Sequence, residues 1–181
     1  MADRQSWSVK GTAILTELVK MMDVSAAEAQ LLGSLHDGAK AQTTAFTDAF
    51  YKRLLGHAAT AEYLDGVSVE RLTGMLGMWF SDLFRGNYDE AYAQQRLKIG
   101  EIHVRIGLPV RYPLAMLDVI MPFGEQVAAT SSDPAKAMTA FRKVLALDVA
   151  LFNQAYEDNQ LSHLADLVGG ERLARLLLAG Q

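Results

Sequence analysis

The chain contains no cysteine, which removes disulfides, thiolate metal ligands and cysteine nucleophiles together. Proline is scarce, at four in 181 residues, while half of the chain is hydrophobic. That profile belongs to one globular domain, or one domain with a small appendage, and not to a disordered chain. No run of about 18 apolar residues is present, so no segment is expected to span a bilayer. The opening MADRQSWSVKGTAILTELVK has no uninterrupted apolar core followed by a small-residue cleavage site, so a cytoplasmic protein is expected. Charge of one sign is lacking as well. Seventeen basic against 21 acidic residues leave a formal charge of −4, which favours neither nucleic acid nor an anionic membrane as a partner. Strand signals are almost absent, with no Asn-Gly or Asp-Gly hairpin turn.

Helical periodicity fills most of what remains. VKGTAILTELVKM, 9–21, is a short amphipathic opening. Ser25, three residues before Glu28, has capping-box spacing and predicts a helix whose apolar face carries Leu31, Leu32 and Leu35. Phe46, Phe50 and Leu54 continue the pattern, which weakens after Gly56. Ser68 opens a broader stripe of Leu72, Met75, Leu76, Trp79, Phe80 and Leu83 at i+3 and i+4 spacing. RGNY, 85–88, is a break. A helix is predicted from about Asp89 to Ile106, with Pro113 or Pro109 starting the next. SSDP, 131–134, opens a long final helix carrying Phe141, Leu145, Val149 and Phe152. Gly169-Gly170 separates it from the short segment ERLARLLLAG. No period of about 30–40 residues recurs, so this is an all-α domain and not a two-helix repeat array.

Most chemical motifs are missing. There is no HExxH, no Glu-x-x-His pair and no carboxylate ladder, so zinc-protease and di-iron sites lack ligands. No glycine-rich phosphate loop or GxSxG elbow occurs. One residue stands out. His103 lies three or four positions from Ile99, Ile102 and Ile106, on or beside a face that favours burial. On the residues alone three readings stand open: a core histidine bonded to a carbonyl, a catalytic base, or a haem ligand. Haem suits a lone imidazole because the porphyrin supplies four ligands and needs an apolar envelope. His36, His57 and His163 have less apolar surroundings and read as surface or helix-end residues.

KIGEIHVRIGLPVRY, 98–112, resembles the proximal segment of the globin-coupled sensor and protoglobin family, whose motif runs approximately IGxxHxRIGLxxxW/Y. The match includes both glycines, His103, Arg105 and the Leu-Pro end. FYKRLL, 50–55, resembles the family's distal Phe-Tyr segment, and LTGMLGMWFSDLF, 72–84, its distal helix. The likeness covers roughly residues 10–160 with helix order intact. It implies a globin fold of the globin-coupled sensor type with an extra N-terminal helix and a short C-terminal helical extension. The expected domains are a globin sensor, 1–160, and a segment, 161–181, that is an extension or the start of a linker.

The resemblance also implies haem b, with His103 as proximal ligand and its other ring nitrogen held by a carbonyl one turn earlier. Ile99, Ile106 and Leu108 are expected on the proximal side, and Tyr51 in the distal pocket as hydrogen-bond donor to O2. Leu72 and Met75 fall on distal-helix positions. Phe46, Phe50, Leu76, Trp79, Tyr112 and Met116 complete the expected lining, with Phe46, Phe50 and Trp79 equally readable as core. Met75 stands where some relatives carry a hydroxyl, and Pro113 where relatives often have a second aromatic. Arg96, Lys98 and Arg105 read either as partners of haem propionates or as solvated helix residues.

What the resemblance implies about function is an oxygen sensor module binding O2, with CO and NO as further ligands. A homodimer through the last two long helices and a covalent output domain are part of that expectation. RYPLAMLD, 111–118, looks closer to relatives linked to diguanylate cyclases than to chemotaxis members. No cyclase motif is present, since Gly169-Gly170-Glu171 sits in an apolar helical context. Enzyme activity is therefore expected of a longer parent and not of these residues. The rivals are a haem enzyme such as a nitric oxide dioxygenase, which lacks a reductase and a distal histidine here, and a cofactor-free helical interaction domain.

Overall fold

The computed structural model describes residues 4–180. Among them are ten α-helices and no strand. After a 3-10 turn at Gln5–Ser8 come α1 (Ala13–Met21), α2 (Ala26–Gly33), α3 (His36–Leu55) and the short α4 (Ala58–Ala61), with a second 3-10 turn at Glu62–Leu64. Then follow α5 (Val69–Asp82), α6 (Glu90–Arg105), α7 (Arg111–Ala115), α8 (Leu117–Ala129), α9 (Pro134–Val168) and α10 (Glu171–Leu178). No helix among the described residues is long and apolar enough to cross a membrane.

The helix starts have local causes. Ser25 accepts the Glu28 amide at 3.2 Å while the Glu28 carboxylate accepts the Ser25 amide at 2.9 Å, closing a capping box. Ser68, Asp89 and Asp133 cap α5, α6 and α9 through their side-chain oxygens, satisfying amides that have no intrahelical partner. Pro113 lies within the first turn of α7, where a missing N–H costs nothing. Gly169 ends α9 in the left-handed region at φ 82°. The break predicted at Gly169-Gly170 is thus present, and α9 runs uninterrupted past residue 160.

α9 is the spine. Its Ala137, Phe141, Val144 and Leu145 enter a core with Leu32, Phe46, Phe80, Phe84 and Ile120. Its Leu147 and Leu151 join Ile14, Leu15, Tyr92 and Ala93 in a second cluster. Phe141 stacks on Phe84 at 5.3 Å, and burial of such a ring stabilises by about 1.5–3 kcal/mol. Gly124 makes this possible, because a Cβ there would lie 1.9 Å from the Phe141 ring. Phe141, Leu145 and Phe152 are therefore consumed inside the chain. The apolar stripe predicted along this helix belongs, at those three positions, to the core and not to the surface of the expected homodimer.

Two packings position the site. α6 lies against α9, and α5 lies against α3. Each is held from behind, which leaves the opposite faces of α5 and α6 outside these two packings.

Candidate functional site

α5 and α6 are tied together at two places. At one, Arg96 of α6 pairs with Asp82 at 3.7 Å and donates from Nη2 to the Trp79 carbonyl at 3.4 Å, both on α5. At the other, Tyr63, just before α5, donates to the carbonyl of Gly107, just after α6, at 3.3 Å. The helices thus run antiparallel between two clasps. Between the clasps the sequence places Leu72, Met75 and Leu76 on α5, and Ile99, Ile102 and His103 with the capping Ile106 on α6. These apolar side chains are incompletely covered: Met75 is 43% exposed, Ile102 45% and Ile106 50%. Large apolar groups at such exposure mark a candidate ligand-binding surface.

His103 is half-buried on α6. Its Nδ1 lies 2.7 Å from the Ile99 carbonyl. A carbonyl only accepts, so Nδ1 carries the proton and Nε2 keeps its lone pair. Burial lowers the imidazole pKa, partly offset by the Ile99 bond, so the ring is neutral at pH 7. Its ring meets that of Phe152 edge to face, centroids 5.3 Å apart. Behind it, Tyr156 donates to the Leu108 carbonyl at 2.9 Å, and Gly107 turns the chain at φ 72°. A neutral imidazole with a fixed tautomer and a lone pair on Nε2 fits an axial haem ligand. No group of three or more His, Asp or Glu among the described residues offers a metal site of another kind.

Tyr51 is half-buried on α3 beside Phe50, ring centroids 5.7 Å apart. Burial pushes its phenol up to about 12. Its hydroxyl makes no hydrogen bond among the described residues, so it is free to donate. Phe50, Leu72, Leu76 and Trp79 are likewise half-buried. Phe46 and Met116 are core residues: Phe46 is sealed between Phe80 and Phe123, and Met116 is buried in the same cluster. Ile99 and Leu108 flank His103 as partly covered groups. Tyr112 lies by the clasp of Tyr63, 6.5 Å from that ring and 6.2 Å from His57, with the Arg111 guanidinium over its face.

Arg96 departs from both sequence expectations. It is 2% exposed, neither solvated nor free to meet a propionate. Its Nε donates to Asp148 of α9 at 2.5 Å, and its guanidinium covers the Tyr92 ring at 4.1 Å. Burial works most strongly against its charge, but Asp148, Tyr92 and Asp82 together outweigh burial and hold the proton more firmly than usual. Asp148 also accepts from Tyr92 at 2.7 Å and from the Trp79 indole at 3.1 Å. Sequence reasoning missed this network. The one available signal was an aspartate in the apolar run VLALDVALF.

The sequence pattern of the protoglobin family matches residues 12–162. The chain is 28% identical to the heme-based aerotactic transducer HemAT of Halobacterium salinarum, over 70% of this chain but only 29% of that protein. It is also similar to the globin domain of the Geobacter sulfurreducens globin-coupled sensor. The TM-score is 0.73 at 29% identity, covering 78% of this chain and 96% of that one. The all-α arrangement is thus a globin-coupled sensor fold with added N-terminal helices and a C-terminal extension, and the chain belongs to the protoglobin family.

Proposed function

We propose that this chain is a haem-based gas-sensing module that binds O2 reversibly, with CO and NO as further ligands. The observation that carries it is the His103–Ile99 bond, which leaves Nε2 as the lone-pair nitrogen in an apolar slot. Haem b held there would supply an iron centre able to bind a gas reversibly. The protein's own residues do the rest. His103 binds from α6, while Phe152 and the Ile99 carbonyl fix its ring. Leu72, Leu76 and Ile106 exclude water. Tyr51 donates from α3 to a ligand that gains negative charge on binding.

Sensing requires the ligand to favour one of two states of the chain. The relative HemAT is named as an aerotactic transducer, and our reading gives this module a covalent output domain, a diguanylate cyclase. A homodimer through α8 and α9 belongs to the same reading. With Phe141 and Phe152 taken by the core, its contacts draw on outward residues such as Met121 and Ala146, both exposed.

A visible spectrum of the purified protein tests this directly. A strong Soret band that shifts on reduction and again with O2 and CO is expected. A colourless protein unable to take up hemin would leave a helical interaction domain instead.

A further inference from the structure

We propose that Asp148 is a positioning residue for the slot, setting the place and polarity of the Trp79 wall from α9; this rests on the haem reading above. Asp148 is 3% exposed. Its two oxygens divide their work. Among the described residues Oδ1 accepts only the Trp79 indole N–H, at 3.1 Å, while Oδ2 takes Arg96 Nε at 2.5 Å and the Tyr92 hydroxyl at 2.7 Å. Arg96 in turn donates to the Trp79 carbonyl at 3.4 Å. Trp79 is therefore held at both its side chain and its backbone by one buried ion pair.

The ion pair is a poor stability device in itself, because desolvating both charges offsets most of their attraction. Its geometry does something packing alone does not. Trp79 stands seven residues from Leu72 and three from Leu76, on the same helix face. An indole free to rotate there offers the slot an N–H donor. Committed to Asp148, that N–H is withdrawn, and Trp79 presents hydrocarbon. Tyr51 is then left as the donor to a bound gas. Arg96 precedes His103 by seven residues, about 10 Å along the axis of α6. One carboxylate on α9 thus registers the distal wall and the proximal helix against each other.

The test uses Asp148→Asn, Trp79→Phe, their double variant, and Tyr92→Phe as a control that removes another donor from the same carboxylate. In hemin-loaded protein, Asp148→Asn should change the O2 dissociation rate by about threefold or more. That effect should vanish when residue 79 is already Phe, and Tyr92→Phe should leave the rate unchanged. In the haem-free protein, the Trp79 indole N–H should resist solvent exchange by NMR and lose that protection in Asp148→Asn. Asp148→Glu, which keeps the charge and displaces the acceptor, replaces Asp148→Asn if the latter does not fold. Additive effects of positions 148 and 79, an equal shift in Tyr92→Phe, or an unprotected indole would each overturn the proposal. Failure of the unaltered protein to take up hemin would instead sink the haem reading, leaving the exchange measurement to decide the tether.

Discussion

The rings of His103 and Phe152 meet edge to face, with centroids 5.3 Å apart and planes at 76°. This contact exists because α6 approaches α9 unusually closely. A Cβ at Gly100, one turn before His103, would lie 2.6 Å from the Phe152 carbonyl oxygen and 2.7 Å from the Ala155 Cβ. The glycine, the phenylalanine and the histidine therefore form one packing unit. The orientation of the imidazole depends on it.

Gly100→Ala should push α6 away from α9, because the obstacle includes backbone and has no rotamer to yield. The expected loss is about 1–3 kcal/mol, the usual range for overpacking. Gly74→Ala is the contrasting case. Nothing lies within 4 Å of its Cβ position, and replacing a helical glycine gains about 0.5–1 kcal/mol. Urea unfolding of the haem-free variants measures both, and a loss at position 74 equal to that at 100 would refute the close-approach account.

His103→Ala should abolish stable haem retention, whereas His57→Ala and His163→Ala should not. Both of the latter are exposed. Hemin titration followed at the Soret maximum, then challenge with excess apomyoglobin, measures retention. Unchanged ferrous and CO spectra in His103→Ala would remove this residue as ligand.

Tyr51→Phe should keep the ring packing on Phe50 and remove the donor proposed for bound O2, a loss of about 1–3 kcal/mol for a buried hydroxyl. O2 dissociation should quicken by about 5- to 150-fold, and CO dissociation much less. An equal shift for both gases would mean that Tyr51 shapes the pocket without donating. The pH dependence follows from burial, which holds the phenol up to about 12 against an ordinary 10.0. A raised native pKa contributes stability that is complete below 10.0 and is lost as pH rises through about 12. Stopped-flow O2 dissociation should consequently stay flat from about pH 7 to about pH 10.

The isolated module should sediment as a dimer at micromolar concentration. Ala146→Glu, at an exposed position of α9, should dissociate it while leaving the unfolding free energy within about 0.5 kcal/mol. A haem-loaded monomer across that range would place dimerisation elsewhere.

Much of this protein was decided by local rules. Ser25, Ser68, Asp89 and Asp133 mark four helix starts because a short polar side chain is what an orphan amide needs. The lone His103 among isoleucines was legible because one residue type in the wrong solvent is conspicuous, and the KIGEIHVRIGL pattern gave it a family. What no local rule reaches is the partner across space. Arg96 looked solvated or propionate-facing because its carboxylate, Asp148, stands 52 residues away. The stripe from Phe141 to Phe152 could be core or interface until the tertiary structure laid α1, α2, α6 and α8 against it. Helix caps and periodicity act within a few residues, so sequence determines them alone. The pairing of buried charges and the choice of which apolar face stays uncovered depend on how distant helices meet, and only the fold decides that.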